Sequence, residues 1–260
     1  NAVNFDWFFG DGDSSNLVSP IHSYDTSGTY TVMLIGTSTT FGCRDTTTLN
    51  VNVNSLPIPQ FVSNVLFGCM PLPINFTNNS TNSNFFTWNF GDGNTSTQQS
   101  PSHTFPDQGI YTITLVAENL NGCKDSITGQ INVYPKPVAS FALSSTYSCN
   151  FPVNVSYTNN SSGGNSYQWD LGNGQTTTTT HAIGNYTANG NYPISLVANN
   201  TYGCTDTARD VFNVYPTPVV NFTPSGILGC EPYAVTFSNE TQDGNSYSWI
   251  FTDGSTIVTD

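Results

Sequence analysis

Four kinds of side chain in this chain could do chemistry, and three of them recur from repeat to repeat. The first is an aspartate between glycines. It stands in Trp7-Phe8-Phe9-Gly10-Asp11-Gly12, in Trp88-Asn89-Phe90-Gly91-Asp92-Gly93, and as Asn173 and Asp253 in the related stretches that begin at Trp169 and Trp249. A carboxylate there could ligate a metal. It could equally bond its own backbone and form a turn, with glycine supplying positive φ. Asn173 weakens the ligand reading. The second kind is histidine: His22, His103 and His181 fall one per repeat, so they cannot converge on one ion, and each reads as a hydrogen-bonded edge residue. The third is cysteine. Cys43, Cys123 and Cys204 precede the last strand of a repeat, and Cys69, Cys149 and Cys230 lie in the loop before the second strand. With no Cys-x-x-Cys and no nearby histidine pair they read as disulfides, not as a zinc site. The fourth is lysine: Lys124 and Lys136 are too few for Lys–Asn isopeptide crosslinks to be a general bracing device. No nucleophile–base pair, phosphate loop or carboxylate pair stands apart from the repeat, so an enzyme is not expected.

The elements that carry these residues repeat about every eighty residues, and a chain with such a period is an array of like units. Phe86, Trp88 and Phe90 alternate with polar residues and line one face of a strand. A buried tryptophan on such a strand marks immunoglobulin-like sandwiches. Tyr111, Ile113, Leu115 and Ala117 form the inward face of a long strand. Tyr30, Tyr111 and Tyr192 open that strand in successive repeats and read as tyrosine corners. Pro20-Ile21-His22 and Pro101-Ser102-His103 precede it, with a looser counterpart at His181-Ala182-Ile183. Repeats meet at Pro57-Ile58-Pro59, Pro135-Lys136-Pro137 and Pro216-Thr217-Pro218. Proline holds the chain extended, so joints this short predict a stiff rod. The expected architecture is all-β: tandem immunoglobulin-like sandwiches of about seven strands. The expected boundaries are 1–54 (C-terminal part of a module), 55–135, 136–216, and 217–260 (N-terminal part of a module). On that phasing the sequence reads as an excerpt of a longer chain.

Composition narrows the partners. Charged residues are 8%, the net charge is −13, and Arg44, Lys124, Lys136 and Arg209 are the whole basic complement. Such a surface repels nucleic acid and anionic lipid. No apolar run is long enough to insert in a membrane. Asn occurs 32 times. The surface is therefore built from neutral hydrogen-bonding groups, whose contribution salt does not screen.

The order of motifs resembles the PKD (polycystic kidney disease) domain: a strand opened by proline, a Gly-x-x-Pro loop, Trp-x-Phe-Gly-Asp-Gly, Pro-x-His-x-Tyr, then Gly-x-Tyr-x-Val-x-Leu. The resemblance implies an immunoglobulin-like sandwich in an extracellular protein, acting as a spacer, an adhesion module or a carbohydrate-contacting module, and not a catalyst. Asn173, Thr252 and the weak histidine motif of the third repeat depart from the pattern. Low charge and paired Gly-Cys elements also resemble the PKD arrays of Bacteroidota surface proteins exported by type IX secretion, gliding-motility adhesins among them. Asp45-Thr46-Thr47, Asp125-Ser126-Ile127 and Asp206-Thr207-Ala208 look like the O-glycosylation signal of that phylum, with Thr46, Ser126 and Thr207 as acceptors. The plainer reading is that Asp and Thr begin the last strand.

In such a sandwich the two cysteine positions lie at opposite ends of a module, about 20 Å apart, whereas bridged Cα atoms lie within about 7 Å. A bridge between neighbours, Cys69–Cys204, is therefore expected, with Cys43, Cys123, Cys149 and Cys230 paired outside this segment. The alternative is the intramodule set Cys69–Cys123 and Cys149–Cys204. Three functions follow: a disulfide-braced cell-surface filament or adhesin; polysaccharide-binding or spacer modules of a secreted hydrolase; or joints stiffened by calcium through Asp11 and Asp13. Partners would be neighbouring modules, surface polysaccharide or other cell-surface proteins, with no cofactor.

Overall fold

The computed structural model describes residues 3–259, and side chains through residue 257. The chain divides into two compact units, Asn1–Tyr134 and Pro135–Asp260. Strands are the regular secondary structure throughout the described residues.

The first unit begins with one antiparallel sheet of order β2-β1-β3-β4, from β1 (Val3–Phe8), β2 (Ser14–Ser15), β3 (Gly28–Ser38) and β4 (Arg44–Val53). A two-sheet sandwich follows. Its smaller sheet holds β5 (Phe61–Ser63), β7 (Leu72–Asn78) and β10 (Ser102–Phe105). Its larger sheet has the order β6-β12-β11-β8-β9, from β6 (Phe67–Cys69), β8 (Phe85–Asn89), β9 (Thr95–Ser96), β11 (Gly109–Glu118) and β12 (Lys124–Tyr134). The β6–β12 pairing is parallel and the others are antiparallel.

The second unit repeats the sandwich. β13 (Phe141–Leu143), β15 (Val153–Asn159) and β18 (Ala182–Tyr186) make the small sheet. β14 (Tyr147–Ser148), β20 (Thr205–Val214), β19 (Gly190–Asn199), β16 (Ser166–Asp170) and β17 (Thr176–Thr177) make the large one, in that spatial order. Two short hairpins close the chain: β21 (Phe222–Pro224) with β22 (Phe237–Asn239), and β23 (Tyr247–Ile250) with β24 (Thr256–Thr259). The longest strands of each sandwich, ten and eleven residues in the first and ten each in the second, are the adjacent pair β11–β12 and its counterpart β19–β20.

Alternation explains the core. Along β11 the inward positions Ile113, Leu115 and Ala117 are buried, while their neighbours are partly open. Ile113 and Leu115 pack in one core with Trp88 from the neighbouring β8, Phe90 just past it, and Phe76 and Phe105 from the smaller sheet. The second sandwich stacks Tyr157, Trp169, Leu171, Tyr186 and Phe212 in the same way. The register is the same in each repeat: Trp7 faces Leu34, Trp88 faces Leu115, and Trp169 faces Leu196. Trp88 and Trp169 are wholly buried. Trp7 and Trp249, on a single sheet and a lone hairpin, are half-buried.

Candidate functional site

The Gly-Asp-Gly stretch is a turn built by its own side chains. Asp11 Oδ1 accepts from the Asp13 amide at 3.1 Å, Asp92 Oδ1 from Asn94 at 3.0 Å, Asn173 Oδ1 from Gln175 at 3.0 Å and Asp253 Oδ1 from Ser255 at 2.8 Å. The chain closes behind each turn, as where the Phe90 amide donates to the Asn94 carbonyl. Gly91 is required in the strict sense: its φ is +80°, and a Cβ there would lie 2.7 Å from the Thr112 carbonyl oxygen. The tryptophan ties down the far side of the same loop. Its indole N–H donates to a carbonyl ten residues on, at Leu17, Gln98 and Thr179.

The histidines are not isolated. His22 Nε2 lies 2.6 Å from Asp11 Oδ2, and His103 Nε2 lies 2.7 Å from Asp92 Oδ2. A carboxylate can only accept, so Nε2 donates. Each imidazole also stacks flat on the aromatic of its turn, at 4.0 Å on Phe9 and 4.2 Å on Phe90. Since Asp92 follows β8 and His103 lies on β10, the pair links the two sheets at one end of the sandwich. Burial opposes ionisation of Asp92, but bonds from the Asn94 backbone and side chain and from His103 outweigh it and hold its carboxyl below the ordinary value.

The third repeat corrects the sequence reading. His181 is not the counterpart of His103. It accepts at Nδ1 from the Asn159 amide, the place filled by Ser100 with Asn78 in the preceding repeat. The residue that follows the 81-residue period from His103 is Gly184, where a Cβ would fall 2.8 Å from the Tyr186 ring. With no imidazole to engage, Asn173 donates through Nδ2 to the Asn185 carbonyl at 2.8 Å. The period itself carried this signal, and the motif spelling hid it.

A second cluster, unforeseen from sequence, surrounds the cysteine turn. Asn119 is a buried polar residue at 5% exposure. Its Oδ1 accepts from the Asn121 and Cys123 amides at 3.0 Å, and its Nδ2 donates to the Ser55 carbonyl at 2.9 Å. Asn200 repeats the arrangement with the Tyr202 and Cys204 amides and the Pro135 carbonyl. One side chain thus shapes the cysteine turn and holds the start of the module. Asn82 adds bonds to Ser55 and Leu56. At the next joint Lys136 pairs with Asp206 at 3.1 Å, and the Ala139 amide donates to the same carboxylate. The Ala139 amide, then Lys136, hold the Asp206 carboxyl below its ordinary value. In the first segment this turn is one residue longer, with the Ser38 amide donating to the Cys43 carbonyl, and no asparagine stands in it. Cys69 and Cys204 are each disulfide-bonded, while Cys43, Cys123, Cys149 and Cys230 are free thiols.

The hydroxyls of Tyr30, Tyr111 and Tyr192 donate to the carbonyls of Thr26, Asp107 and Ala188, four residues upstream. Thr46 and Ser126 are exposed, whereas Thr207 is half-buried beside the engaged Asp206. Among the described residues, one set of three metal-ligating side chains has its ligand atoms mutually within 4.8 Å: Asp11, Asp13 and His22.

The PKD domain family matches residues 1–53, 68–135 and 132–214. Collagenase ColA of Bacillus cereus is 34% identical over 55 residues, which are 21% of this chain and 6% of that enzyme. The crystal structure of the PKD1 domain from the Vibrio cholerae metalloprotease PrtV is 36% identical, covering 31% of this chain and 98% of that one at a TM-score of 0.27. The PKD1 domain of Vibrio anguillarum Epp is 33% identical, covering 31% and 95%, also at 0.27. Matches to one family model over most of the chain, in tandem, show that this protein belongs to the PKD domain family.

Proposed function

We propose that the chain is a stretch of an extracellular, cell-surface filament or adhesin whose role is reach and stiffness, and that its PKD modules are spacers, not catalysts. A gliding bacterium that exports such arrays by type IX secretion is the setting this reading favours. The observation that carries it is the joint. In both complete modules the proline-rich entry is bonded into the module it precedes, by Asn119 and Asn82 at Ser55 and by Asn200 and Asp206 at Pro135 and Ala139. A joint absorbed into a folded unit bends less than a free linker. The bridge proposed for this role is Cys69–Cys204, linking one module to the next, with Cys43, Cys123, Cys149 and Cys230 available to pair with other modules of the same kind. Such a bridge would carry load past each proline joint.

Proteolysis without reduction, followed by mass spectrometry, tests the bridge. A peptide pair joining Cys69 to Cys204 supports it, and a pair joining Cys69 to Cys123 overturns it. The second reading, a polysaccharide-binding module, predicts retardation in gels that contain soluble glycans. The spacer reading predicts unchanged mobility.

A further inference from the structure

We propose that Asp11, Asp13 and His22 form a binding site for a divalent transition-metal ion of the zinc type. The argument starts from the two copies of one turn. In the second repeat Asp92 Oδ2 accepts from two donors, His103 Nε2 and the Asn94 amide Nδ2, at 2.7 and 3.0 Å. Its charge is answered on both sides. In the first repeat the position of Asn94 is Asp13. The backbone is the same, since the Phe9 amide donates to the Asp13 carbonyl and the Asp13 amide donates to Asp11 Oδ1. The side chain now brings a second negative charge where the amide brought a donor. Two carboxylates and one imidazole then place their ligand atoms within 4.8 Å of one another.

Like charges so close favour a cation between them. The donor set selects its kind. An imidazole nitrogen with two carboxylate oxygens suits zinc, copper or nickel, whereas calcium prefers six to eight oxygens. Three protein ligands leave room for water on the fourth position. The imidazole is already positioned by its stacking on Phe9 and its edge contact with Tyr24 at 4.7 Å. On binding, the metal takes the place of the proton between His22 Nε2 and Asp11, and the neutral imidazole that ligates it carries its single N–H on Nδ1. This inference is independent of the spacer reading: the site stands or falls on one turn.

The repeat supplies its own controls. Cobalt(II) titrated into the intact chain, with the free thiols alkylated, should give one equivalent of binding by calorimetry and a visible d–d absorbance. Asp13→Asn copies the second repeat into the first, and should weaken binding at least tenfold. Asn94→Asp copies the first into the second, and should raise the stoichiometry from one to two. His181→Ala should change nothing. Absence of a saturable equivalent in the wild type overturns the proposal. So does unchanged affinity in Asp13→Asn, or a stoichiometry that stays at one in Asn94→Asp.

Discussion

The third repeat buries two phenols against each other, and their removal in turn gives a sharp test of how its core is satisfied. Tyr157 Oη lies 2.6 Å from Tyr186 Oη, and Tyr186 donates to the Leu171 carbonyl at 2.9 Å. Tyr157 must therefore donate to Tyr186. Burial, above all, pushes both phenols above their usual pKa, so the network stays protonated. The second repeat holds phenylalanines at these two places, Phe76 and Phe105. Tyr157→Phe removes a donor and leaves Tyr186 bonded to Leu171, so it should cost less than about 1 kcal/mol. Tyr186→Phe strands the buried Tyr157 hydroxyl, which should cost about 1–3 kcal/mol. The double change to Phe restores the pattern of the second repeat and should recover about 1–2 kcal/mol of that loss, a coupling of contacting residues. Unfolding of an array is not two-state. The assay is therefore native-state hydrogen exchange at Ile194 and Leu196, central in β19, where about 1.4 kcal/mol reads as a tenfold faster rate. Equal costs for the two single changes, or strict additivity, would refute the reasoning.

Three further outcomes follow. Gly91→Ala meets the Thr112 carbonyl, whereas Gly93→Ala enters open space with φ of +93° as its sole penalty; the first should destabilise the second repeat by at least about 1 kcal/mol more than the second, read by the same exchange method. Asn119→Ala removes three bonds from a buried site and should cost about 2–3 kcal/mol, with the extra exchange concentrated at Asn121 and Cys123. Because the Asp92 carboxyl sits below its ordinary value of 3.8, the folded protein takes up that proton less readily than the unfolded chain. Its contribution is complete above that value and fades as pH falls through the lowered one. Asp92→Asn should flatten the acid limb of stability in the second repeat, and an unchanged limb would contradict the assignment.

The fold was legible because its signals are periodic. Alternation around Trp88 and along Tyr111–Ala117 needs only side-chain direction, and the 81-residue spacing fixes which residues correspond. What stayed hidden was a matter of partners distant in sequence. Asn119 and Ser55 are 64 residues apart, and in a chain this rich in asparagine nothing marks one as buried. The Asp–His pairs form inside a repeat, between residues eleven apart, where convergence of histidines from different repeats plays no part. Local spelling also misled: His181 sits near the expected motif, while strict counting leads to Gly184.

The most direct test of the stiff, bridged spacer is to pull a single chain from its two ends and measure contour length with and without reductant. A Cys69–Cys204 bridge shields everything between those residues, so reduction should release about 490 Å in one added increment at roughly 3.6 Å per residue. Two smaller increments totalling about 390 Å would instead indicate bridges closed within each module, and equal lengths in both states would contradict the account outright.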